Sequence, residues 1–149
     1  MRSTTALIPV TLLLSAGALA VAANAQPAAE GGRKLQTSLT GAAEVPGPGD
    51  PDGRGTASVT VNPGQSRVCF DLRVTAIDTA TAAHIHEAPV GVAGPVVINL
   101  GAPSSGERSG CVDVTRALAL EILKRPADYY VNVHNAAFPA GAVRGQLAK

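Results

Sequence analysis

From residue 56 onward the chain alternates between apolar and polar positions. In "TASVTV" Ala57, Val59 and Val61 fall on one face, and Thr56, Ser58 and Thr60 on the other. A period of two predicts a half-buried β-strand. "RVCFDLRVT" repeats the pattern, with Val68, Phe70, Leu72 and Val74 inward and Arg67, Cys69, Asp71, Arg73 and Thr75 outward. The intervening "NPGQ" predicts a hairpin turn: Pro63 fixes φ and Gly64 is free to adopt positive φ. "LQTSLT", starting at Leu35, forms a short first strand. "GAAEVPGPGDPDGRG", residues 41–55, carries three prolines and five glycines and reads as an irregular loop.

Further strands follow at "AAHIHEA", "PVVINL", "SGCVDV", "YYVNVHN" and "AVRGQLA". "PVVINL", residues 95–100, has few polar interruptions and is expected to be buried. "TRALALEILKR" breaks the rhythm. Leu118, Ala119, Ile122 and Leu123 recur at helical spacing, Thr115 can cap and Pro126 stops the helix. About eight short strands, frequent Gly and Pro turns and one short helix predict an all-β, immunoglobulin-like antiparallel β-sandwich or flattened barrel.

The N-terminus reads differently. After Arg2, residues 6–23 carry no charge, and "ANA" before Gln26 offers small residues to a signal peptidase. Residues 1–25 are expected to be a cleaved signal peptide, residues 26–34 a flexible leader, and residues 35–149 one folded domain. Export places the product outside the cytoplasm: secreted, periplasmic or wall-associated. No later stretch is apolar enough to span a bilayer. Loss of Arg2 leaves 11 basic against 11 acidic residues, so the mature chain carries no electrostatic footprint for nucleic acid. With no Trp and two each of Phe and Tyr, the core must come from Val, Leu, Ile and Ala. In an oxidising compartment the two cysteines, Cys69 and Cys111, predict one disulfide. Both belong to outward faces, which suggests a bridge between neighbouring strands or to a flap on the sheet.

The chain has three histidines. Ile85 takes the inward side of its strand, so His84 and His86 share the outward side, about 6.6 Å apart at strand rise. Val131 and Val133 point inward, which puts Tyr130, Asn132 and His134 outward. In the last strand Val143 and Leu147 face in, and Arg144 and Gln146 face out. A hairpin of these last two strands brings Arg144 to Asn132 and His134. Together with Glu87 these side chains form a candidate polar cluster. Whether they reach His84 and His86 depends on strand order, which spacing does not fix. Three readings stand: a hydrogen-bonded cluster that organises loops, a zinc or copper site with an open position, and a switch titrating near the histidine pKa.

"LTGAAEVPGPGDPDGRGTASVTV", "AAHIHEAPVGVAGPVVINL", "SGCVDV" and "YYVNVHNAAFPAGAVRGQL" resemble the CHRD domain, named from chordin and also found in secreted bacterial proteins. The resemblance covers Leu35 to Leu147. It implies an immunoglobulin-like barrel with a faint similarity to the copper/zinc superoxide dismutases. "HIHE" resembles a dismutase strand that supplies two copper ligands, "YVNVH" is similar to one that supplies another, and Arg144 parallels the arginine that guides superoxide. The chain has no fourth histidine, and "PVGVAGP" adds no ligand side chain, so a dinuclear site is excluded by count. The family brings no agreed reaction. The expected role is a non-enzymatic extracellular binding or structural module for an unidentified cell-surface or extracellular ligand, with Phe138 at a hairpin tip as its candidate contact. The alternative is a mononuclear copper or zinc protein using His84, His86 and His134.

Overall fold

The computed structural model describes residues 31–149. The predicted signal peptide and most of the leader lie outside the described residues. Among the described residues eight strands form one antiparallel sheet: β1 (Arg33–Thr40), β2 (Arg54–Asn62), β3 (Arg67–Thr75), β4 (Ala80–Glu87), β5 (Val96–Asn99), β6 (Glu107–Asp113), β7 (Tyr129–Asn135) and β8 (Val143–Gln146). Helix α1 (Arg116–Lys124) separates β6 from β7. β1 starts two residues before the expected boundary, because Arg33 and Lys34 pair with Val61 and Thr60.

The strand order is β5-β4-β7-β8-β1-β2-β3-β6. The two halves meet where Thr40 of β1 pairs with Arg144 of β8, supplemented by Gln36 against Ala148. The sheet curls there into a flattened, nearly closed barrel. Inward alternation gives both halves an apolar face. Ile85, Val131, Val133 and Val143 come from one side, and Leu35, Leu39, Val59, Val61, Val68, Phe70, Leu72 and Val74 from the other. All are buried in one core, and their removal from water is the main force holding the halves together. At the open edge, Arg108 Nε donates to the Leu100 carbonyl at 2.6 Å, linking the segment after β5 to β6.

Helix α1 closes one end. Thr115 caps it, its hydroxyl accepting from the Leu118 N–H at 3.1 Å, and Ala119 and Ile122 enter the core. Cys69 and Cys111 are direct partners across β3 and β6 and form a disulfide. The outward parity of both cysteines leads to this cross-strand bridge. Among the described residues no helix is long and apolar enough to cross a membrane.

Three local expectations change. The left-handed residue of the β2–β3 turn is Ser66, at φ 51°, and not Gly64. Asn62 Oδ1 accepts from the Gln65 N–H at 3.0 Å and sets the turn from its first residue. β5 is an edge strand: Ile98 is buried but Val96 is 51 % exposed, so an apolar run here does not mean two covered faces. Phe138 is half-buried, its N–H donating to Asn135 Oδ1 at 2.8 Å. The exposed large apolar side chains among the described residues are instead Val90, Val92, Val96 and Leu120.

Candidate metal centre

Strand order decides what alternation left open. β4, β7 and β8 are neighbours, so their outward residues form one ladder. His84 lies opposite Asn132, His86 opposite Tyr130, and Asn132 also opposite Arg144. His134 pairs with Ala82, one step further along β4. His84, His86 and His134 therefore converge: one ring nitrogen from each lies within 4.8 Å of the others. The closest approach is His84 Nδ1 to His134 Nε2, 3.1 Å. Two nitrogens about 2.05 Å from one tetrahedral ion stand about 3.3 Å apart, so this pair already has the spacing of co-ligands.

The hydrogen bonds fix which lone pairs are free. His86 Nδ1 is 2.9 Å from the Gly94 carbonyl oxygen, which can only accept, so Nδ1 carries the proton. In the neutral ring Nε2 then holds a lone pair. That atom is buried and has no hydrogen-bond partner among the described residues. His134 Nδ1 donates likewise to the Pro139 carbonyl at 3.1 Å, leaving its Nε2 lone pair toward His84 and Asn132. Burial holds His84 below the ordinary histidine range, with smaller contributions from His134 and His86. Burial also holds His134 low, opposed by its bond to Pro139 and helped by His86. Rings so held are neutral at neutral pH, the form a metal requires.

A second layer braces the histidines. The Tyr130 ring stacks on His86 with centroids 4.7 Å apart and planes 7° from parallel. Arg144 Cζ sits 3.4 Å from the Tyr130 centroid, on the β8 side of the ring. The guanidinium donates to the carbonyls of Val92 (2.8 Å) and Pro89 (3.3 Å). Gln146 Nε2 donates to Ala88 and Ala127. Residues 88–95 thus fold over the outer face and are tied down through backbone oxygens. Arg144, expected to face outward, is on the outer face yet only 2 % exposed, because this loop covers it. Gly94 joins both layers, since its carbonyl accepts from His86 and its N–H donates to the Tyr130 hydroxyl at 3.2 Å.

Asn132 and Arg144 of the candidate polar cluster sit beside the histidines. Glu87 does not. It alternates to the side of Ile85, is exposed, and approaches Arg125 at 3.9 Å. Residues the side-chain pattern passed over are Gly94, Tyr130 as the central ring of a stack, and Glu44. Glu44 arrives from the loop after β1 and is buried, with Oε1 unpartnered among the described residues. Burial pushes its pKa up to about 7, against the pull of Arg144 and the Val45 N–H. Gly141 makes room for it, since a Cβ there would collide with both carboxylate oxygens. For Gly94 and Glu44 the sequence held only a weak signal, a Gly-Pro step and an acid between Ala43 and Val45.

A family model described as CHRD domain matches residues 35–147. No curated protein and no solved structure matches the chain.

Proposed function

The chain belongs to the CHRD family, and from that premise we propose that it is an exported, non-enzymatic binding module whose ligand on the β4–β7 face is one transition-metal ion, zinc or copper, held by His84, His86 and His134. One observation carries the reading: His86 Nε2, buried and unpartnered, in a ring whose other nitrogen is engaged by Gly94. An unsatisfied buried acceptor costs about 1–3 kcal/mol. A metal ligand whose second nitrogen is tied to a carbonyl is the usual arrangement at such centres. Zinc would supply a fixed positive charge that ties β4 to β7, and copper would add one-electron chemistry. The hydrogen bonds orient the rings, burial favours the neutral form of His84 and His134, and the 88–95 loop lies over His86. Export is supported by the charge-free segment before Gln26 and by a disulfide suited to an oxidising compartment.

The second reading is a metal-free polar cluster, in which His84 Nδ1–H donates to His134 Nε2 across their 3.1 Å contact. One experiment separates the two. The protein is recovered after export, its mass is measured, and Zn²⁺ or Cu²⁺ is titrated while the melting temperature is followed. The proposal expects a chain beginning at Gln26, one ion per chain, and a stabilisation of about 2.7 kcal/mol at a hundredfold excess over Kd that His134→Ala abolishes. Melting temperatures unmoved by either ion refute the metal reading. A mature chain that retains residues 1–25 refutes export by cleavage.

A further inference from the structure

Resting on the three-histidine reading, we propose that Asn132 supplies a fourth donor through Oδ1, so that the centre takes a borderline divalent cation on three nitrogens and one oxygen and keeps no position for an outside ligand. Asn132 is 2 % exposed and lies across from His84 on one side and Arg144 on the other. Its Oδ1 is 3.1 Å from His134 Nε2. The Pro139 carbonyl takes the Nδ1 proton of His134, so in the neutral ring Nε2 is an acceptor. An amide oxygen is also an acceptor. Two acceptors therefore face each other at hydrogen-bond distance with no proton between them.

The same Nε2 meets His84 Nδ1 at 3.1 Å, and the unpartnered His86 Nε2 lies in the same buried neighbourhood. A cation at the convergence turns this crowd of lone pairs into a coordination set. The two 3.1 Å separations match the roughly 3.3 Å spacing of donors around a tetrahedral zinc-sized ion. An amide oxygen beside imidazoles favours a divalent ion over soft cuprous copper, which selects sulfur. Four protein donors describe a centre that holds its metal, whereas catalytic centres keep a position open. This agrees with a binding role rather than turnover.

The test uses Co²⁺ as a spectroscopic stand-in and azide as a probe for an exchangeable position. The full exported chain is loaded with Co²⁺ and its visible absorption recorded with and without azide. The proposal expects a wild-type spectrum that azide leaves unchanged. Asn132→Ala should bind Co²⁺ at least about tenfold more weakly, a loss that an outer partner would also cause, so the decisive result is a spectrum that now shifts with azide. Asn132→Asp, nearly isosteric and still an oxygen donor, should stay silent to azide. It also serves if the alanine variant fails to fold. An azide shift in the wild-type cobalt protein overturns the fourth donor and leaves the histidines standing. An amide turned to donate from Nδ2 gives that result. Failure of the wild type to bind Co²⁺, Zn²⁺ or Cu²⁺ overturns the three-histidine reading itself.

Discussion

A single methyl group at Gly94 should separate the brace around the histidines from the rest of the fold. The Gly94 carbonyl accepts from His86 at 2.9 Å and its N–H donates to Tyr130 at 3.2 Å. A Cβ there would stand 2.0 Å from the Glu87 carbonyl oxygen and 2.7 Å from Ala88 Cβ. Carbon and oxygen approach comfortably only to about 3.3 Å, so Gly94→Ala must displace the loop by roughly 1 Å or more. Both hydrogen bonds then stretch beyond useful range. At about 0.5–1.5 kcal/mol net for each, the variant should lose about 1–3 kcal/mol of stability. On the proposed three-histidine reading it should also lose about 10–100-fold in zinc affinity, because His86 is no longer held in one tautomer and orientation. Urea unfolding with a chelator present reads the first quantity, and competitive zinc titration reads the second. Gly91→Ala is the control. It lies in the same loop at φ +80°, where an added methyl would meet nothing within 4 Å. That variant should cost about 1–2 kcal/mol of backbone strain without touching affinity. Wild-type zinc affinity in Gly94→Ala, or an equal loss in Gly91→Ala, would refute the reasoning.

Two further outcomes follow from other parts of the molecule. Glu44 titrates near 7 in the folded protein against about 4.5 ordinarily, so between those values the folded state binds more protons and stability falls as pH rises. Glu44→Gln should therefore gain stability over the wild type progressively from about pH 4.5 to about 7 and hold the gain above; parallel curves for the two proteins would count against the raised pKa. Cys69 and Cys111 are 42 residues apart, and the chain-entropy model assigns their bridge about 4 kcal/mol. Replacing both with Ala should lower the unfolding free energy by that order under denaturant, while a loss under about 1 kcal/mol would mean that β3–β6 pairing already restricts the unfolded chain.

Alternation alone assigned most side chains to a face. Val131 and Val133 inward forced Asn132 and His134 outward, and the same logic placed His84, His86 and the two cysteines. A strand's side chains alternate through covalent geometry, so this information is local and needs no partner. The number of strands, the capped helix and the two hairpins were legible for the same reason. Strand order was not. The histidines meet only because β4 lies beside β7, a pairing between segments far apart in the chain that is chosen by burial of the whole core. Edge position follows from that order too, which is why β5, apolar in sequence, shows Val96 to solvent. Parity also cannot say whether an outward face stays wet. Arg144 is buried because the 88–95 loop lies over it, and that loop holds on through carbonyl oxygens that every residue carries alike. Gly94 acts through close packing against the Glu87 carbonyl, and Glu44 through packing against the distant Gly141. Periodicity thus settled the direction of each side chain, and tertiary packing settled which outward side chains share one buried space.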